Sequence, residues 1–162
     1  MSFVSLFERP PRRTFMNQVM ACCLYPFFPF KNLTVMSAKG VSFRESKYSV
    51  KESIDRLHSF LLQHGATIYA RIDQQAEVNK TGLHLMPLEF ILFGNPKGGG
   101  PLMVGNPLIA LDLPLKVIAW EDDQKKVWLA WNESQYIEER YSMQHNPGSV
   151  LNLDTIIDTA LK

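Results

Sequence analysis

"LKVIAWEDDQKKVWLAWN", Leu115 to Asn132, decides the fold class. Its two halves are rich in β-branched and aromatic residues, and an acidic and polar turn around Asp122 to Lys125 separates them, so the stretch reads as a hairpin with antiparallel neighbours. If Glu121 pairs with Lys126, then Trp120 faces Val127, Ile118 faces Leu129 and Lys116 faces Trp131. Leu115, Val117, Ala119 and Trp128 then take the opposite face. Both faces carry large apolar groups, while one helix layer covers only one. The surplus points to a subunit interface or a ligand shelf.

Working outward, "VSFRES", Val41 to Ser46, alternates as a strand should. "YSVKES" then supplies a capping box, with Ser49 as N-cap and Glu52 three residues on. Val50, Ile54, Leu57 and Leu61 follow one buried helical face, and Gly65 sits where a left-handed C-terminal cap is wanted, so a helix runs from about Ser49 to His64. "TIYARID" places Ile68, Ala70 and Ile72 on one side of a strand and Tyr69, Arg71 and Asp73 on the other. "LEFILF", Leu88 to Phe93, is almost continuously apolar, as a central strand covered on both faces would be. Past the hairpin, Tyr136, Ile137 and Tyr141 have helical spacing, "HNPGS" is a loop, and "NLDTIIDTAL" is a closing helix capped by Asn152. The order strand, helix, two strands, helical turns, hairpin, helices predicts an α+β two-layer sandwich: a mostly antiparallel mixed sheet in β-α-β-β-α-β-β-α order packed on helices.

The chain has 162 residues, 46% hydrophobic and 20% charged, which suits one globular domain with a real core. Seventeen basic against sixteen acidic side chains leave a formal charge of +1, so no electrostatic footprint for nucleic acid is visible. Cys22 and Cys23 are adjacent and match neither a disulfide framework nor a paired C-x-x-C metal pattern, which sets a cytoplasmic expectation and no metal site. His58 and His64 are six apart on one helix, a poor spacing for a shared metal.

Residues 1–36 read as an extension and 37–162 as the single domain. Arg9, Arg12 and Arg13 ahead of "FMNQVMACCLYPFFPF" resemble a secretory signal. Against that, Asn17 and Gln18 interrupt the run, Pro26 and Pro29 break its end, and no small-x-small cleavage site follows. It is also shorter than the roughly 20 apolar residues a membrane span needs. A loosely docked arm, or a translation start placed too early with Met36 as the real one, fits better because the periodic pattern begins after Met36.

"FGNPKGGGPLMVGNP", Phe93 to Pro107, holds five of the nine glycines. Glycines between a strand and a helix start can aim backbone N–H groups at an anion, with Lys97 adding charge. Yet neither G-x-x-x-x-G-K-[ST] nor G-x-G-x-x-G is present, and Pro101 removes a donor. The structural alternative is that Gly98, Gly99 and Gly100 allow positive φ in a tight connection while Pro101 starts a helical turn.

Three functional readings result. A homodimeric domain could bind a small polar or anionic molecule at Asn95, Lys97, Gly98, Gly99 and Gly100, with Arg71, Asp73 and Lys116 converging on that loop through charge-assisted bonds. A small acid–base enzyme would use Asp73 or Asp112 as its general base. A structural or interaction domain would build its interface over Trp120, Trp128 and the glycine loop.

"YSVKESIDRL", "ARID" with its following turn, "FGNPKGGGPLM" and above all "LDLPLKVIAWED" resemble the bacterial and archaeal family called domain of unknown function 302, over about Val41 to Tyr141. The resemblance implies a compact α+β homodimer and assigns no activity, cofactor or catalytic residue. Many members look to have a histidine after the aspartate of the "ID" motif, where this chain has Gln74, which leaves imidazole chemistry there without its residue.

Overall fold

A computed structural model describes residues 38–162, so the expectations for residues 1–36, Cys22 and Cys23 among them, lie outside the described residues. Strand β1 (Val41–Ser46) pairs with β5 (Val127–Asn132), β5 with β4 (Leu115–Glu121), β4 with β3 (Leu88–Gly94) and β3 with β2 (Thr67–Asp73). Every pair is antiparallel. Helix α1 (Val50–Gln63) crosses the sheet, and α5 (Asp154–Ala160) packs beside it. The result is the predicted α+β two-layer arrangement, with one helix layer on one face.

Local chemistry explains α1. The Ser49 side chain accepts the Glu52 N–H at its start, and at its end Gly65 takes φ +73° while the Gly65 and Ala66 N–H groups bond back to the Leu62 and Leu61 carbonyls. Ile54 and Leu57 are fully buried along one stripe, each contributing roughly 1.5–3 kcal/mol by leaving water.

The hairpin exists, but its register is one residue away from the expected one. Trp120 pairs with Trp128, Ile118 with Ala130 and Val117 with Trp131. The cause is the turn: Lys125 takes a left-handed φ of 64°, and the Asp122 carboxylate accepts N–H groups from Gln124 and Lys126. A type I turn followed by such a residue makes a three-residue loop, which shifts every partner by one. Trp120 and Trp128 therefore share a face, and the Trp128 indole donates to Asp122 at 2.9 Å while its ring meets Phe43 edge-on. A second irregularity at Tyr69 sends Ile68 to the side of Phe93 while Ala70 and Ile72 pair with Leu92 and Phe90, so those three do not share one face as expected.

Two further elements differ from expectation. A short helix α2 (Gln74–Asn79) follows β2, started by the Asp73 side chain accepting the Ala76 N–H. Strand β3 lies between β2 and β4 and buries fully only Ile91 and Phe93, so it is not covered on both faces.

Candidate functional site

The glycine-rich stretch is a helix, α3 (Pro96–Gly105), not a positive-φ turn. Pro96 occupies its first turn, so the helix starts five residues before the expected start at Pro101, which lies inside it. The described glycines with positive φ are Gly40, Gly65 and Gly82. Asn95 caps α3: its side chain accepts the Lys97 N–H at 2.9 Å, and its carbonyl accepts those of Gly98 and Gly99 at 2.9 and 2.8 Å. The donors that would have cradled an anion at Lys97, Gly98 and Gly99 are spent on Asn95.

Absence of Cβ atoms serves close packing instead. A Cβ on Gly98 would come within 3.1 Å of Val150, and one on Gly99 would touch Leu113. Between α3, the end of α1 and the segment leading into α5 lies a pocket of about 420 Å³, within the roughly 300–1,000 Å³ typical of small-ligand sites. Phe60 and Leu61 of α1, Phe93 of β3 and Leu151, Leu153 and Ile156 supply apolar wall. Asn95, Gly98 and Gly99 line it, as do His64 and Tyr69. Among the described residues, those lining it include no aspartate, glutamate, lysine or arginine.

Arg71, Asp73 and Lys116 do not converge on this loop. Arg71 is held on the helix side by Glu89, with N–O distances of 2.9 and 2.6 Å, and by Asp55 of α1. Burial works against its charge, but those two carboxylates outweigh burial and raise its pKa further. Lys51, then Arg71, hold the Asp55 carboxyl below the usual range despite opposing desolvation. Asp73 is exposed and serves as the cap of α2. Lys116 pairs opposite Leu92 on the face away from α1, with Nζ 5.8 Å from the Phe90 ring. Lys97 is exposed and outside the pocket lining, and Gly100 faces open space.

Asp112 is the better enclosed of the two candidate aspartates. It accepts the Tyr141 hydroxyl at 2.5 Å and lies 3.3 Å from Arg140, beside a smaller cavity of about 220 Å³ that Lys116 also lines. The Asp112 bond, burial and its charge push the Tyr141 hydroxyl up, against Arg140. Sequence reasoning missed His64 as a pocket residue and missed the 150–156 wall. The Phe60 and His64 pair four apart, now stacked at 4.0 Å, was the available signal; nothing local marked the wall. Among the described residues no group of His, Cys, Asp and Glu could hold a metal ion, and no helix is long and apolar enough to cross a membrane.

The profile of the family described as domain of unknown function DUF302 matches residues 43–160. The chain is 40% identical over 104 residues to the "Fluoride-specific ion channel FluC 1" of Brucella suis biovar 1 (strain 1330), a match covering 64% of this chain and 41% of that protein. The protein of the same name from Brucella abortus biovar 1 (strain 9-941) is also 40% identical over 104 residues, with 64% and 38% covered. The chain thus spans about two fifths of the length of these relatives. The crystal structure of an uncharacterized conserved DUF302 protein from Bacillus stearothermophilus is similar with a TM-score of 0.63 and 16% identity, covering 76% of this chain and 97% of that one. That likeness shows a shared fold.

Proposed function

The chain belongs to the DUF302 family, and we propose that it acts as a small-molecule-binding domain whose ligand occupies the pocket between α1, α3 and the segment leading into α5. The observation that carries this reading is the pocket itself: ligand-sized, walled by regular elements, and provided with a few hydrogen-bonding side chains in His64, Tyr69 and Asn95. A polar end of the ligand would meet these three. The cytoplasmic setting expected from the cysteine pattern belongs to the same proposal. Channel activity is not carried over from the Brucella relatives, because the match spans about two fifths of their length.

The experiment is a metabolite screen by thermal shift and amide chemical-shift mapping, on the full chain and on a Leu153→Trp variant that fills the pocket. Binders should shift Gly98, Gly99 and Leu153 amides in the former and not in the latter. A screen in which no compound moves these amides would remove the reading.

Assembly as a homodimer is the second part. It is supported by the open sheet face, where Phe90, Ile118, Trp120 and Trp128 stand outside the core cluster, a surface of the kind that marks contact sites. Light scattering should give twice the chain mass, and Trp120→Lys should halve it. A monomer at high micromolar concentration would end this part of the proposal.

A further inference from the structure

The lining of the pocket narrows its ligand to one chemical class, provided that the pocket is the binding site proposed above. A charge carried between its apolar walls would shed water without meeting an opposite charge, since among the described residues no Asp, Glu, Lys or Arg lines the space. The backbone donors at the start of α3 offer no substitute, because the N–H groups of Lys97, Gly98 and Gly99 already bond to Asn95. The body of the ligand therefore has to be apolar, to match Phe60, Phe93, Leu113, Leu153 and Ile156.

Two of the polar groups define the other end. Nδ1 of His64 lies 2.8 Å from the Phe60 carbonyl, which can only accept, so Nδ1 carries the hydrogen and the tautomer with a free lone pair on Nε2 offers an acceptor there. Stacking on Phe60 fixes the ring's orientation. Oδ1 of Asn95 is taken by the Lys97 N–H, which leaves its Nδ2 group as a donor with no partner among the described residues. One acceptor and one donor in the same lining are the complement of a hydroxyl, which donates one bond and accepts others. We propose that the pocket binds an uncharged amphiphile, an aliphatic or aromatic alcohol, with its hydroxyl between His64 Nε2 and Asn95 Nδ2 and its body against the apolar walls.

The test uses the full chain, with amide shifts of Gly98, Gly99 and Leu153 followed during titration by 1-hexanol, 1-heptanol, 1-octanol, octanoate, octylammonium and inorganic phosphate. The alcohols should bind, tightening roughly fourfold per added methylene, with octanoate and octylammonium at least about tenfold weaker than octanol. His64→Phe keeps the stacked ring and loses the acceptor, so octanol should weaken by roughly three- to tenfold while the gain per methylene stays the same. If phosphate or octanoate binds more tightly than octanol at these amides, the site stands and the alcohol assignment falls. If none of the six probes moves these amides, the assignment falls with it. If only the metabolite screen then finds a pocket ligand, the binding reading survives alone.

Discussion

The two faces of the sheet come from alternate residues of the same strands, yet they end in different states. Under α1, Ile91, Val117, Ala119 and Leu129 are completely buried. One residue along, Phe90, Ile118, Trp120 and Trp128 stay partly exposed and stand outside the core cluster of the described residues. Both sets are equally apolar, so hydrophobicity does not separate them; what separates them is the single layer of helices, which covers one side. A half-finished apolar face is costly to leave in water, and in the register set by Lys125 two of the hairpin's three tryptophans, Trp120 and Trp128, stand there, while Trp131 lies in the core. The difference places the folding core on one face and leaves the other for the contact proposed above.

The largest test of that division is Leu129→Ala. Leu129 is fully buried, so truncation should cost about 2–5 kcal/mol in urea unfolding. Ile118, one position from Leu129's partner Ala119 and therefore on the other face, should cost about 1 kcal/mol when cut to alanine under conditions that keep the protein monomeric. Equal costs for the two would break the comparison.

Glu138 sharpens it with charge, because a carboxylate on the buried side has to be satisfied by the protein. Its side chain is 2% exposed and is met by His145 Nδ1 at 2.8 Å and the Asn146 N–H at 3.3 Å. Burial pushes its pKa up, but bonds from His145, Ser149 and Asn146 outweigh burial and lower it below 4.5. A depressed folded pKa means that the stabilising contribution is present above the unfolded value and is lost as pH falls through the folded one. Glu138→Gln should cost about 1–3 kcal/mol at neutral pH, with the gap to the unmodified protein closing on acidification below about pH 4.5. Asp55 and Asp122 also titrate low, so the difference between the two proteins is the quantity to follow. A gap that stays constant through that window would contradict the assignment.

Much of this division is legible in the residues themselves. β1 has the expected limits, Ser49 and Gly65 bound α1 as their residue types demand, and the hairpin's two-faced apolar pattern already exposed the surplus. Legibility ended where residue type and conformation part company. Lys125 adopts a left-handed φ that glycine or asparagine would have announced, so the register slipped by one. Asn95, Gly98 and Gly99 were singled out for the site and do line the pocket, whereas Arg71 was drawn away by Asp55 on a helix that only the fold brings near. The Leu151, Leu153 and Ile156 wall reaches the glycines across some fifty residues of sequence, a distance over which periodicity carries no information.

The covered face has a gap at the pocket beside α3, and the smallest prediction tests the element that makes it. Three consecutive glycines and an internal proline argue against a helix on propensity alone, since each glycine costs up to about 1 kcal/mol relative to alanine. The Asn95 cap and the packing of Gly98 on Val150 overcome that deficit. Gly100 contributes neither: a Cβ there would meet nothing within 4 Å, and its φ is not positive. Gly100→Ala should therefore stabilise the protein by about 0.5–1 kcal/mol, read as a rise in the urea midpoint, and leave the pocket amides in place. A positive-φ turn at the same position would make alanine destabilising instead, so the sign alone separates a helical wall from the tight connection that the glycines suggest on paper.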